Sequence, residues 1–440
     1  MQHMTDSEKL AMIHGALVHK RHGIITSLFE EVEHPAARGL FVFNAMMMDF
    51  KAIMIDPTRQ QMQSDRNSLA GSGAAFDRTS ALWSAFGEAI ERYSAAAHFD
   101  DQLCYASQFE LGDAAVALDD FILYAPEQYA QDGFEFSAPD AHLVRAWTTA
   151  IDLARPQQEV YVPAQMVYLG MRVKQKAEIV TQSSSTGLAC GMQVERAILG
   201  GLCEVIERDA FAAMWQMRYA PRRLQIKEST MTRLLPGVRD VLKKGEVEIT
   251  LWDISTDIGL PVVVCLVRNR HNATMSFGAS ASLFIDHAIN KAVIESMHGY
   301  IWAHSILVGD LPIPEADAIR NPNDHFAHYL LHERQEKLDF LFENDEEISS
   351  EDPALRQLIN LDALVQRLDQ LGYRALVADV TSPDIGSLGF TVVRAMIPGM
   401  QPLLFGSGLH SDDHRRLKRI AQHWGLPAIP PANPDPHPFP

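Results

Sequence analysis

The sequence predicts an internally pseudo-symmetric α/β protein, and two internal duplications carry that expectation. One is a pair of apolar helical stretches sharing the core E-x-x-E-R, GEAIERYSAAA (87–97) and CEVIERDAFAAMW (203–215). The other is a pair of strand–turn–strand units, ITLWDISTDIGLPVVVCLV from Ile249 and ALVADVTSPDIGSLGFTVVRAMIPG from Ala375. Each unit runs strand, Asp253 or Asp379, a Ser/Thr turn, Asp257 or Asp384, Ile-Gly and a second strand. Repeated helices together with repeated strand pairs imply layered helix and sheet. The aspartates are expected to end strands and cap turns.

The 440 residues suffice for two or three packed subdomains, and 47% apolar with 21% charged residues is ordinary for a globular chain. A net charge of −18 argues against nonspecific nucleic-acid or anionic-membrane binding, both of which need a basic surface, so neither partner is expected. The chain starts without a basic, then apolar, leader, and no run approaches about 18 consecutive apolar residues, which implies a cytoplasmic protein. Cys104, Cys190, Cys203 and Cys265 are scattered without a C-x-x-C pair and read as reduced core residues.

Residues 1–64 read as an accessory N-terminal segment, with GLFVFNAMMM as a strand. In LAGSGAAFDRTSALW, Gly71 and Gly73 suit a tight turn before the first motif helix. On that helix Glu88, Glu91 and Arg92 stand at i, i+3 and i+4 and so share a face; Glu204, Glu207 and Arg208 do the same in the second copy. Alone, each Glu–Arg pair is a self-paired helix face worth about 0.2–0.5 kcal/mol. Duplication inside apolar helices, where charges must be paired or metal-bound, points further. Two such helices facing each other gather four carboxylates, which suit Mg2+, and two arginines, which suit phosphate. Ser84, four residues before Glu88, adds a hydroxyl to the first face. No G-x-x-x-x-G-K-[ST] occurs, so a nucleotide site here is not a P-loop.

Residues 98–180 show no chemistry, although EVYVPAQMVYL reads as a strand with a turn. From Thr181 the hydroxyl- and glycine-rich TQSSSTGLACG is expected to open directly into the second motif helix, whose first amides can bind an anion. DHAINKAVIESMHGYIWAH reads as a third helix with Glu295 in an apolar setting. ENDEEISSEDP (343–353) reads as an acidic linker. In the tail AIPPANPDPHPFP the alternating Pro434, Pro436, Pro438 and Pro440 dictate an extended, polyproline-like conformation.

The two E-x-x-E-R helices, STGLACG…AILGGLCEVIERDAFAAMW, LGFTVVRAMIPGMQPLLFG and the terminal PHPFP together resemble the YcaO family, in particular its azoline-forming subgroup. The resemblance runs from about residue 65 to the end. It implies a YcaO-type α/β (α+β) fold with a non-P-loop ATP site between helices, a catalytic domain over 65–425 and a proline-rich tail over 426–440. It implies ATP and Mg2+ as cofactors, and phosphorylation of a peptide amide oxygen attacked by a neighbouring Cys, Ser or Thr, leaving thiazoline or oxazoline. By resemblance Ser84, Glu88, Glu91 and Arg92 form the first nucleotide-magnesium motif and Glu204, Glu207 and Arg208 the second. Glu88, Glu91, Glu204 and Glu207 are then the metal ligands, Glu195 and Glu295 further nucleotide contacts, and Pro440 supplies a catalytic terminal carboxylate. Three positions depart from the family pattern: Arg196 replaces a carboxylate, with Glu195 one place earlier, and His298 and Tyr300 replace a glutamine and an arginine. No peptide-recognition module or fused adenylating-enzyme-like domain is legible. The implied partners are a ribosomal precursor peptide, a separate recognition protein and a flavin dehydrogenase, in a homodimer or a hetero-oligomeric synthetase. Thioamide or amidine formation by the same activation, and a non-catalytic scaffold, are the alternative readings.

Overall fold

The computed structural model describes residues 5–48, 70–171, 173–356, 358–411 and 414–439. Its strands are β1 (Ile25–Glu30), β2 (Phe41–Met47), β3 (Ala70–Ala75), β4 (Cys104–Ala106), β5 (Arg145–Asp152), β6 (Glu159–Pro163) and β7 (Leu188–Gly191). They continue as β8 (Arg222–Gln225), β9 (Glu248–Asp253), β10 (Val262–Arg268), β11 (Met275–Ala281), β12 (Glu347–Ser349), β13 (Leu376–Asp379) and β14 (Thr391–Met396). Three sheets result, ordered β1-β2-β3, β4-β5-β13-β14-β7 with β6 also on β5, and β11-β10-β9-β8-β12. Three long helices join them: Arg78–Ala96, Val194–Gln216 and Ile285–Val308, here the first, second and third motif helices. The expected α/β layering is therefore present.

Both strand–turn–strand repeats form antiparallel pairs, β9 with β10 and β13 with β14, in different sheets. Asp253 accepts hydrogen bonds from the Ser255 N–H and hydroxyl, and Asp379 from those of Thr381. The second aspartates diverge: Asp257 binds Arg416 at 2.6 Å, and Asp384 accepts from the Tyr93 hydroxyl at 2.8 Å. Turn capping explains the first aspartate of each repeat and long-range pairing the second.

Each motif helix lies against a strand with little or no side chain at the contact. A Cβ on Gly71 would stand 2.6 Å from Ala89 N, and one on Gly73 would run into Ala85 N and Ala81 O. The expected tight turn at these glycines is thus replaced by β3, whose backbone touches the first motif helix. The same rule holds at β11, where a Cβ on Gly278 would lie 2.5 Å from Ala292 O of the third helix. Gly187, with φ +84°, and Gly201 bring the second helix onto β14 in the same way.

Three further expectations change. The Thr181 loop does not open directly into the second helix, because β7 intervenes and pairs with β14. The acidic 343–353 stretch is not a linker: Glu347–Ser349 is an edge strand parallel to β8, held by buried Ile348. β1 and β2 pair with each other and β2 with β3, so one sheet crosses the expected boundary at residue 64.

Close helix–strand approach makes an asymmetric prediction for two glycines of one neighbourhood. Gly73→Ala should destabilise by about 1–3 kcal/mol in chemical denaturation, because backbone and not a flexible side chain occupies the space. Gly87→Ala, with nothing within 4 Å, should instead stabilise by up to about 1 kcal/mol through helix propensity. Equal effects at the two positions would contradict this packing.

Candidate active site

Four motif carboxylates are held by four backbone amides from the strands and turns that face them. Ser72 N–H on β3 donates to Glu88 at 2.5 Å, and Cys190 N–H on β7 donates to Glu91 at 2.8 Å. Gly187 N–H donates to Glu204 at 3.2 Å, and Ala281 N–H on β11 donates to Glu207 at 3.3 Å. The first helix thereby ties the three-stranded sheet to the six-stranded one. The second ties the six-stranded sheet to the five-stranded one.

The guanidinium groups expected from the motifs are in place. Arg92 pairs with Glu88 at 2.5 Å, while Arg208 lies 3.7 Å from both Glu204 and Glu207. Burial, then the neighbouring Glu204 and Glu88 charges, push the Glu91 carboxyl up to about 8. Burial, then Glu295, push Glu207 up to about 8 as well. At neutral pH, carboxyls of this kind hold a proton that an arriving cation displaces.

Two basic residues that the motifs do not name join the array. Arg394 on β14 is 2% exposed and donates to the carbonyls of Val167 at 3.0 Å, Ser184 at 2.7 Å and Thr186 at 2.5 Å. Burial draws it down to about 10, opposed by Glu204 and Glu91. It therefore fixes the Ser184–Thr186 loop while facing both motif helices. Its signal in the sequence was a lone arginine in the apolar strand TVVRAM. On the third helix Lys291 lies 3.6 Å from Glu295, with Glu207 and Glu204 also in range.

The remaining expected residues divide. Glu295 joins the array, and burial raises its carboxyl. Ser84 is exposed one turn before Glu88. Glu195 and Arg196 are exposed in the first turn of the second helix, and Glu195 points away from Glu204, about two and a half turns on. His298 hydrogen-bonds Ser72 Oγ at 3.0 Å, beside Glu88, and burial holds it below its ordinary value. Tyr300 turns to the opposite side, where its hydroxyl accepts from Asn269 at 2.9 Å.

The tail runs back along the second helix. Asn433 N–H donates to Gln216 O at 2.8 Å, and Trp215 Nε1 donates to Asp435 O at 2.8 Å. The rings of His437 and His325 stack at 3.9 Å. Phe439, 2% exposed, packs on Phe211 at 4.5 Å and under the Arg208 guanidinium at 4.4 Å. The helix preceding the tail, His414–His423, is anchored beside the motif by Arg416, which binds buried Asp209 at 2.6 Å. Pro440 lies outside the described residues.

Two acidic-and-basic helices whose carboxylates approach one another, in a sequence without a P-loop motif, carry the donor set that suits an anionic ligand together with a cation. The profile of the YcaO family, described as YcaO cyclodehydratase, ATP- and Mg2+-binding, matches residues 72–401, and the chain belongs to this family. An uncharacterized protein of Methanothermobacter thermautotrophicus is 29% identical over 268 residues, 60% of this chain and 62% of that one. The structure is similar to a heterocyclase in complex with substrate and cofactor, with TM-score 0.78 and 22% identity over 99% of this chain and 57% of that one. It is also similar to YcaO from Methanopyrus kandleri bound with AMPPCP and Mg2+, with TM-score 0.61 and 19% identity over 90% and 91% of the two chains. This chain therefore spans about three fifths of the length of the first two. At these identities the structural likeness is one of fold.

The residues present fit a magnesium nucleotide. Among the described residues no three His, Cys, Asp or Glu side chains close a metal cage by themselves. Mg2+ in nucleotide sites characteristically takes one or two carboxylates and completes its shell with phosphate and water, which suits this open arrangement. Among the described residues no helix is long and apolar enough to cross a membrane, and all four cysteines are free.

A pH dependence follows from Glu91 and Glu207. Their folded values, about 8, lie above the ordinary 4.5, so between these limits the folded protein keeps protons that the unfolded chain has released. Stability without added cation should therefore fall as pH rises through that window. Thermal midpoints measured across roughly pH 5 to 8 should decline, and Glu91→Gln should flatten the slope. An unchanged slope in that variant would remove Glu91 as a source.

Proposed function

We propose that this chain is an ATP-dependent cyclodehydratase that activates amide oxygens of a ribosomal precursor peptide, so that neighbouring Cys, Ser or Thr side chains close to thiazoline or oxazoline. The observation that carries this reading is the convergence of Glu88, Glu91, Glu204 and Glu207, with Arg92, Arg208 and Arg394, from two helices and one strand. In this reading the four glutamates are the source of the Mg2+ ligands, one or two carboxylates to an ion, with phosphate and water completing its shell. Arg92 and Arg208 take phosphate oxygens, and Glu295 and Lys291 complete the array from the third helix. Ser84 stands one turn from Glu88 at the edge of the array, whereas Glu195, which points away from Glu204, has no part in it. Bound Mg-ATP supplies the phosphoryl group that turns a poor amide-oxygen leaving group into a good one. Arg394 keeps the hydroxyl-rich loop in register beside the motif carboxylates. The docked Pro436–Phe439 segment holds Phe439 under Arg208, beside Glu204 and Glu207, and ring formation is the reading in which such a tail and a catalytic Pro440 carboxylate have a part. Peptide recognition falls to a separate partner protein and any later oxidation to a flavin dehydrogenase, in a homodimeric or hetero-oligomeric synthetase in the cytoplasm.

Calorimetry of Mg-ATP binding tests the site. Glu91→Gln and Glu207→Gln should each weaken affinity about tenfold or more, by analogy with losses at metal-site partners. Unchanged affinity in both would refute the assignment. With precursor peptide and partner, each ring should accompany loss of one water and release of ADP and phosphate; AMP and pyrophosphate would indicate adenylation instead.

The tail calls for extension and not deletion, because buried Phe439 contributes to packing. A few residues added after Pro440 should sharply lower ring formation with the thermal midpoint unchanged. Full activity of the extended protein would leave the tail a packing element.

A further inference from the structure

Lys291 is the one cation that the third motif helix brings to the carboxylate array, and its surroundings do not suit a structural ion pair. Its order relative to Glu295, lysine at i and glutamate at i+4, is the weaker arrangement along a helix. Their separation of 3.6 Å exceeds the usual length of a charged hydrogen bond. The side chain keeps 59% of its surface exposed, yet Glu295, Glu207 and Glu204 all act on the ammonium. Lys291 therefore stands with its side chain partly exposed to solvent while its ammonium is held by the charge of three carboxylates. Glu207 and Glu204 are meanwhile held by the Ala281 and Gly187 amides, so these two carboxylates do not depend on the ammonium for their partners.

We infer that the Lys291 ammonium is a tethered stand-in for a divalent cation: it neutralises Glu204, Glu207 and Glu295 until metal arrives, then turns to the phosphate oxygens of the nucleotide. The inference rests on the Mg-ATP reading above. Two effects of opposite sign follow. Removing the ammonium removes a competitor for the metal, and it also removes a contact to the nucleotide. A residue that merely braced the helix would weaken both or neither.

The test uses Mn2+ alone, titrated by electron paramagnetic resonance, and then a non-hydrolysable ATP analogue at saturating Mn2+. Lys291→Met should bind Mn2+ about tenfold more tightly than wild type, since a like charge a few ångströms away is gone. The same variant should bind the analogue about tenfold more weakly, the loss expected for one charged contact. Lys291→Arg, which keeps the charge, should stay near wild type in both. Should Lys291→Met fold poorly without metal, the rise of its thermal midpoint on adding Mn2+ gives the answer: a larger rise than wild type supports the inference and an equal one overturns it. Unchanged or weaker Mn2+ binding by a folded Lys291→Met, in a wild type that binds Mn2+ and analogue, overturns this inference alone. Wild-type protein that binds neither overturns the nucleotide reading and this inference with it.

Discussion

Four hydrogen bonds from backbone amides to carboxylates organise this molecule. A carboxylate pressed into a protein interior is tolerated only when its oxygens are satisfied, and backbone N–H groups on strands are the least mobile donors available. Ser72, Cys190, Gly187 and Ala281 supply them to Glu88, Glu91, Glu204 and Glu207. These donors can reach only if strand backbones come close to helix surfaces. Gly71, Gly73, Gly187 and Gly278 at the contacts are the sequence expression of that need. Sheet order, glycine placement and acidic motifs are one design seen at three scales.

The same bonds leave an electrostatic debt. Burial first, and the neighbouring carboxylates after it, raise the affinity of Glu91 and Glu207 for protons. Arg92, Arg208, Arg394 and Lys291 answer it in part. Arg394 is itself so enclosed that burial works against its charge, and three backbone carbonyls stabilise it. On the Mg-ATP reading proposed above, a metal would replace the protons of Glu91 and Glu207, and the arginines beside it would suit phosphate.

Much of this was legible in the sequence because it repeats. The E-x-x-E-R helices, the Asp-Ile-Ser and Asp-Val-Thr hairpins, and the proline alternation of the tail are patterns of spacing, and spacing survives without knowledge of tertiary contacts. What escaped depends on partners far along the chain. Gly71 and Gly73 suit a turn as well as a strand; only the backbone of Ala81 to Ala89 decides between them. The acidic 343–353 stretch reads as solvated because its single buried anchor, Ile348, carries too little weight among glutamates and aspartates. Arg394 and Lys291 belong to no local motif. Their charges gain meaning from Glu91, Glu204 and Glu207, which lie about 80 to 300 residues away.

The tail shows how the second E-x-x-E-R motif serves two ends at once. Arg208 faces Glu204 and Glu207 on one side and carries the Phe439 ring on the other, while the next residue, Asp209, is buried and grips Arg416. Breaking a buried pair such as Asp209 with Arg416 leaves an uncompensated charge, so the helix that launches the tail is tied firmly beside the motif. From there the chain retraces the second helix from Gln216 to Arg208, its prolines limiting the alternatives it could adopt. Two adjacent residues thus fix both the start and the end of the final segment. The position of Phe439 is set by the same helix that presents Glu204 and Glu207, so any motion of that helix moves the carboxylates and this ring together.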